Sequence, residues 1–246
     1  MPSSLSAQGE PPYPPIPPEE GPAAVLWDMD GTLVDTEPYW MRAEGELVTS
    51  FGGVWTHEDA MLLVGAGLWD SALILQSHGV TLEADAIVQR LTNRVQEQLR
   101  DEGVPWRPGA RELLRQVVDA GIPTALVTMS VERMARQIVD AIDFPAFSHI
   151  VSGDTVTMPK PDPEAYLTAA GLLGVAPEHC VAIEDSPPGL AAALAAGTIS
   201  IAVPHQLPLP ESAMYTRWST LEGHTVSDLR TLYAARFGPC ERPTPA

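Results

Sequence analysis

The sequence predicts an α/β fold: a Rossmann-like parallel sheet between helices, interrupted by an all-helical insertion. Three observations carry that expectation. Short apolar runs bounded by turn residues alternate with segments of helical periodicity. Residues 37–104 break the alternation, with apolar positions at helical spacing and no convincing strand. At 246 residues the chain is long enough to bury a sizeable core without a disulfide or metal staple.

In chain order, residues 1–22 hold eight prolines and read as a disordered Pro-rich tail. The first strand is expected at Ala24–Trp27. The insertion, 37–104, has helix-like stretches at 38–50 and 68–78, and Val88, Leu91, Val95 and Leu99 recur at helical spacing. Gly52, Gly53, Gly65, Gly67 and Gly79 punctuate it, and the chain returns near Val104–Pro108. A helix over 110–118 places Ala110, Leu113, Leu114, Val117 and Val118 on one face, and Gly121 stops it. Strands then follow at Pro123–Val127, His149–Val151, Cys180–Ile183 and Ile199–Val203. Helices are expected at 131–142, 163–173, 188–196 and 227–236, the third opened by Pro187 and Pro188 and closed by Gly197. The core domain is therefore 23–36 plus 105–237, and 238–246 is a second loose end.

Charge narrows the function classes. Asp and Glu total 32 against 14 Lys and Arg, a net charge of −18, which argues against a non-specific nucleic-acid binder. Any anion site has to be built locally, and the chain has a single lysine, Lys160. No apolar run reaches 18 residues and no secretory signal is visible, so a cytoplasmic protein without a membrane span is expected, by default a monomer. Cys180 and Cys240, 60 residues apart, form no framework, and the six histidines show no metal-ligand spacing.

The residues that carry chemistry sit after predicted strands. The first strand runs into Asp28-Met29-Asp30-Gly31-Thr32-Leu33-Val34-Asp35. In an open α/β sheet, ligands gather at the carboxyl ends of the strands. Two carboxylates one residue apart at that edge suit a nucleophile or hard-metal ligand beside a proton-transfer group. Alone, this pattern is equally an acidic turn. Three further pieces follow in order: Thr128-Met129-Ser130 after the second strand, Lys160 between Pro159 and Pro161 after the third, and Glu184-Asp185-Ser186 at the end of the fourth. A nucleophile, hydroxyls, one cation and an acidic pair at one sheet edge suit phosphoryl transfer with a hard divalent metal such as Mg²⁺.

These four motifs, in this order, resemble those of the haloacid-dehalogenase (HAD) superfamily, in its β-phosphoglucomutase-like and sugar-phosphate phosphatase branch. The resemblance covers roughly 23–237 and implies the HAD fold with residues 37–104 as a helical cap. It implies Asp28 as nucleophile and Asp30 as acid and base, with Thr128, Met129 and Lys160 on the phosphoryl group. It further implies Mg²⁺ on Asp28, Asp30 (through its carbonyl) and Asp185, with Glu184 close by. Trp40, Leu68, Trp69 and Ser130 are the candidate substrate contacts, and Asp35 and Asp154 are candidates for orienting neighbours or Lys160, or for turns. The second aspartate argues against dehalogenation, and the absence of a cap lysine argues against Schiff-base phosphonate chemistry. Mutase relatives carry an arginine in the cap loop and a lysine after the second motif, where this chain has Leu68 and Val131. Its flap, Asp35-Thr36-Glu37-Pro38-Tyr39-Trp40, looks like that of sugar- and polyol-phosphate phosphatases. Hydrolysis of a small phosphomonoester is the expectation, a phosphosugar mutase the alternative, and a catalytically weak binding protein of the same fold the third reading.

Overall fold

The computed structural model describes residues 21–238; the Pro-rich stretch up to residue 20 and residues 239–246 lie outside it. Six parallel strands form one sheet in the order β3-β2-β1-β4-β5-β6. They are β1 (Ala24–Trp27), β2 (Thr124–Val127), β3 (His149–Val151), β4 (Cys180–Glu184), β5 (Ile199–Ala202) and β6 (Thr216–Arg217). The two-residue β6 pairs with β5 at Ile201–Thr216 and Ala202–Arg217 and is an addition to the five expected strands. Its run is too short and too polar to stand out in the sequence.

The chain grows from β1 to β2 and β3 on one side, then crosses back to place β4 on the other side of β1. The strand order therefore reverses between β1 and β4, the place where an open α/β sheet leaves a crevice beyond its carboxyl ends. Both faces of the sheet are covered. Val25, Trp27, Leu126, Val181, Ile183 and Ile201 pack with Leu113 and Leu114 of α5 (Ala110–Asp119), Met134 and Ile138 of α6 (Glu132–Asp140) and Leu229 of α9 (Val226–Phe237). Ala24, Leu26, Ala125, Val127 and Ala182 face the other way. They meet Ala165, Tyr166 and Ala169 of α7 (Glu164–Leu173) and Ala192 and Ala193 of α8 (Pro187–Ala195). Alternate residues of each strand thus enter different cores, as burial on both faces requires. The second face is alanine-rich, so α7 and α8 lie close to the sheet and bring Tyr166 under the end of β4.

Residues 37–104 form four helices: α1 (Glu37–Ser50), α2 (His57–Met61), α3 (Leu68–Ser77) and α4 (Ala84–Asp101). The short α2 was not expected. Its Thr56–Asp59 capping box starts it, with the Asp59 N–H on Thr56 Oγ1 and the Thr56 N–H on Asp59 Oδ2. Leu47, Val48, Leu75, Ile87, Leu91 and Val95 form the interior of this layer, continuous with the first sheet face through Leu33, Val34 and Tyr39. Gln98 Nε2 donates to the Tyr39 carbonyl at 2.9 Å and ties α4 to α1. No helix among the described residues is long and apolar enough to cross a membrane.

Gly109, at the entrance to α5, shows how tightly the return from the insertion is held. Its φ is +77°, and a Cβ there would lie 2.2 Å from the Glu222 nitrogen. Gly109→Ala is expected to cost about 2–4 kcal/mol, combining left-handed strain with a backbone clash. In a thermal melt that lowers Tm by roughly 5–10 °C. Gly121→Ala, at φ +72° but in open space, isolates the strain and should cost only about 1–2 kcal/mol. Equal losses at the two sites would show that the contact with residues 221–222 contributes nothing.

Candidate active site

The carboxyl ends of β1, β2 and β4 meet around one buried ammonium. Lys160 Nζ lies 2.6 Å from Asp28 Oδ1, 2.7 Å from Glu184 Oε1 and 3.0 Å from the Val127 carbonyl. Those three acceptors use all three of its N–H donors. Tyr166 donates to the same Glu184 Oε1 at 2.6 Å. Glu184 Oε2 takes the Asp185 N–H at 3.2 Å and the Ser186 hydroxyl at 3.3 Å. Two glycines let the acids come this close. A Cβ on Gly31 would sit 2.1 Å from Asp185 Oδ2, and one on Gly189 would sit 2.1 Å from Glu184 Oε1.

Asp28 keeps one oxygen free. Its Oδ2 is buried without a hydrogen-bond partner. Asp28, Glu184 and Asp185 each offer an oxygen, all within 4.8 Å of one another. Three buried carboxylates converging around one ammonium make an all-oxygen acidic set that fits a hard divalent cation. Without one, the charge is held back: burial, then Glu184, push the Asp28 carboxyl up to about 7 against the pull of Lys160. Burial, then Asp28 and Glu184, push Asp185 well above the usual carboxylate range. Burial alone would lower the Lys160 ammonium, but Asp28 and Glu184 outweigh it and hold the group above its ordinary value.

Asp30 is fixed by four side-chain donors. Thr36 Oγ1 and Trp40 Nε1 bind its Oδ1, the latter at 3.2 Å. Thr128 Oγ1 and Ser130 Oγ bind its Oδ2, at 3.1 and 2.8 Å. Thr36 and Trp40 belong to the start of the insertion and Thr128 and Ser130 to the end of β2, so Asp30 joins the two layers. A cavity opens between them, lined by Asp28, Asp30, Lys160 and Asp185 on the sheet side and by Glu37, Trp40, Glu44 and Leu68 on the helical side.

A family model for haloacid dehalogenase-like hydrolases matches residues 22–197, which carry every residue of this cluster. The chain belongs to that family. Among its relatives, hexitol phosphatase A of Escherichia coli is 35% identical over 180 residues, 72% of this chain and 81% of the relative. A phosphorylated carbohydrates phosphatase of Thermotoga maritima is also 35% identical, over 178 residues, 71% and 81% of the two chains. A crystal structure of CbbY from Rhodobacter sphaeroides in complex with xylulose-(1,5)bisphosphate superposes with a TM-score of 0.78 at 29% identity, covering 85% of this chain and 99% of that one.

Within this HAD hydrolase, Asp28, Asp30, Thr128, Met129, Ser130, Lys160, Asp185, Trp40 and Leu68 all line the one cavity, and Glu184 lies buried beneath it. Other expected contacts fall elsewhere. Trp69 does not line that cavity: it is exposed, its Nε1 donates to Asp85 at 2.8 Å, and it lines an adjoining recess that shares Leu68 and Met129 with it. At the head of α3, Leu68 and Trp69 point about a quarter-turn apart, so only one of them reaches the cavity. Asp154 does not orient Lys160; it accepts the Glu132 N–H at 2.9 Å and the Ser152 hydroxyl at 2.7 Å. Asp35 instead meets His205 Nε2 at 2.7 Å. Val131 is a buried core residue rather than a cavity-lining one.

Glu37 and Glu44 were not singled out from the sequence. With Trp40 they occupy positions i, i+3 and i+7 of α1, one face of the helix. The signal was present: Glu44 falls in the stripe of Trp40, Ala43, Leu47 and Val48, where an apolar residue is expected. Burial, then Asp30 and Glu44, push the Glu37 carboxyl up to about 8. Burial pushes Glu44 to about 7, against a weaker pull from the Trp55 indole.

Both values exceed the ordinary 4.5, so between 4.5 and about 7–8 the folded protein binds more protons than the unfolded chain. Stability is then full at the acid end of that window and is lost as pH rises through it. Asp28 and Asp185 act in the same direction. We expect the Tm of the metal-free protein to fall from about pH 5 to about pH 8, and to fall less in Glu44→Gln, which cannot ionise. A Tm that rises with pH across this range would contradict the assignment of Glu37 and Glu44 as buried acids without a cation partner.

Proposed function

We propose that the protein is a Mg²⁺-dependent phosphomonoesterase acting on a small sugar or polyol phosphate through an aspartyl-phosphate. The observation that carries this is the free Oδ2 of Asp28, held by Lys160 through the other oxygen and facing the same cavity as Asp30. The named activities of the hexitol and carbohydrate phosphatases support the substrate class.

Asp28 Oδ2 attacks phosphorus, forming an acyl-phosphate bond as the bond to the alcohol oxygen breaks. Asp30 gives its proton to that oxygen, and the alcohol leaves. The Asp30 carboxylate then takes a proton from water, the water oxygen attacks phosphorus, and inorganic phosphate departs with Asp28 restored. Thr36, Trp40, Thr128 and Ser130 orient Asp30 for both transfers. Lys160 orients Asp28 and sets a positive charge beside the transferring group. The metal site would be Asp28 and Asp185 with the Asp30 carbonyl, Glu184 alongside. When bound there, Mg²⁺ offsets the repulsion between the phosphate and this acidic cluster.

The xylulose bisphosphate held by the R. sphaeroides relative raises a second reading, a bisphosphate substrate or a mutase. Among the described residues lining the cavity, Lys160 is the only cation, and it already serves two carboxylates. A second buried phosphate would be unpaired, at a cost of several kcal/mol. Leu68, in the cavity wall, cannot supply the charge. A monophosphate is therefore the better fit.

Phosphate release from hexitol and hexose monophosphates should require Mg²⁺, stop with EDTA and return on adding the metal. Asp28→Asn is expected to lower kcat by roughly 10⁴-fold or more. Asp30→Asn should lower steady-state kcat by roughly 10²–10⁴-fold. With p-nitrophenyl phosphate, whose leaving group needs no proton, Asp30→Asn should still show a burst of nitrophenolate matching the enzyme concentration. Rapid conversion of β-glucose 1-phosphate to glucose 6-phosphate, followed by ³¹P NMR, would favour the mutase instead.

A further inference from the structure

The wall of the cavity facing away from the sheet carries a carboxyl group that the hydrolytic steps do not use. Glu44 is 5% exposed and lines the cavity, and its Oε2 is buried without a hydrogen-bond partner. The Trp55 indole pulls weakly on this carboxyl, but its Nε1 is itself without a hydrogen-bond partner and does not line the cavity; the cavity wall is otherwise apolar, with Leu63, Leu68 and Leu91, apart from Ser71. Arg42 pairs with Glu102 and Arg94 with Glu46, and neither lines the cavity. A buried acceptor without a partner is costly, and native proteins retain one where a ligand supplies the missing donor.

Position along α1 says how far that donor lies from the reacting phosphorus. Trp40 Nε1 touches Asp30, and Glu44 follows one turn later, about 6 Å further along the helix axis. A chain of about four to six carbons with its terminal C–O bond, each bond advancing roughly 1.3 Å, covers that distance. Leu63, Leu68 and Leu91 suit its C–H surface. Glu37, one turn on the other side of Trp40 and also in the wall, brings no cation to the phosphate end.

We propose that Glu44 is a specificity-determining residue that accepts a hydroxyl hydrogen bond from the far end of the leaving alcohol. It thereby selects uncharged polyhydroxylated chains of about four to six carbons and rejects those ending in a second anion. This rests on the phosphomonoesterase reading and narrows it. A terminal carboxylate or phosphate would face Glu44 with no cation to pair either of them. A terminal hydroxyl satisfies the orphaned oxygen without adding charge.

The test compares matched esters by kcat/KM for phosphate release with Mg²⁺ present: glucitol 6-phosphate, 6-phosphogluconate, glucosamine 6-phosphate with glucose 6-phosphate, and the short ester ethyl phosphate. Wild-type enzyme should prefer glucitol 6-phosphate over 6-phosphogluconate by roughly 100-fold, as expected for an unpaired like charge. In Glu44→Gln that ratio should shrink by about tenfold or more. In Glu44→Leu the ratio of glucitol 6-phosphate to ethyl phosphate should fall by roughly 10- to 100-fold, the range of a hydrogen bond to a charged group. Circular dichroism and Tm establish that the variants are folded. If neither folds, the wild-type panel decides alone. Equal use of glucitol 6-phosphate and 6-phosphogluconate by wild type, or ratios unmoved in a folded variant, overturns the role of Glu44. A preference for the amino sugar phosphate over glucose 6-phosphate overturns the hydroxyl assignment in favour of a cation. Failure to release phosphate from any ester overturns the hydrolase reading itself, a different outcome from release without discrimination.

Discussion

The site depends on a single ammonium with nowhere else to go. Lys160 is the only lysine in the chain, it is 5% exposed, and its three donors are shared among β1, β2 and β4 through Asp28, the Val127 carbonyl and Glu184. A buried pair broken by removing one partner costs about 3–5 kcal/mol, because the other charge stays behind. Here the ammonium has two carboxylate partners, and Glu184 is also held by Tyr166 and packed against Gly189. Movement of the β1 or β4 end would strand a charge, and movement of the β2 end would leave one N–H of the ammonium unpaired. The reversal of strand order between β1 and β4 opens the crevice, and Lys160 spans it and holds its sides in register.

One cation does not neutralise what surrounds it. Asp28, Asp30, Glu37, Glu44 and Asp185 all line the same cavity, and the protein as a whole carries −18. Diffusional steering therefore works against an anionic substrate, and the affinity for phosphate has to be generated at short range. The two ends of the cavity solve this differently. At the sheet edge, on the proposed reading, a lysine and a metal held by the carboxylates would compensate the phosphate. At the helical wall no cation lies among the described lining residues, which on the proposed reading favours an uncharged remainder of the substrate.

Much of this was legible because the central strands are short continuous apolar runs and each reactive residue follows one of them. Asp28 after β1, Thr128 and Ser130 after β2, Lys160 after β3 and the acidic pair at β4 reach a common edge once the strands are parallel. Features that depend on side-chain direction or three-dimensional packing were harder to read. β6 has only two residues and exists because β5 offers it an edge. Trp69 and Leu68 are neighbours in sequence, yet only the leucine faces Asp28. Lys160 is oriented by Glu184, 24 positions away, rather than by Asp154, because Asp154 is consumed by the head of α6. Glu44 stands in the apolar stripe of α1 and is buried, a departure from pattern that the sequence carries but composition alone does not flag.

The position of α1 links reaction and selection. Its first turn and the residue before it supply Trp40 and Thr36 to Asp30, while Glu44, one turn beyond Trp40, stands in the wall that meets the rest of the substrate. A displacement of α1 that accommodates a different alcohol also moves two of the four donors on the acid–base group. The remaining two, Thr128 and Ser130, stay with the sheet, so Asp30 is held from both layers only when α1 is seated. Seating is braced at the flap, where Asp35 meets His205 and Arg107 Nη1 lies 2.8 Å from the same imidazole. It is braced again at Gln98, which reaches back from α4 to the Tyr39 carbonyl. A substrate that fills the wall at Glu44 favours the same position of α1 that orients Asp30. If Asp30 is the proton donor, as proposed, binding energy from the unreactive end of the molecule would be spent on aligning it, raising turnover as well as affinity.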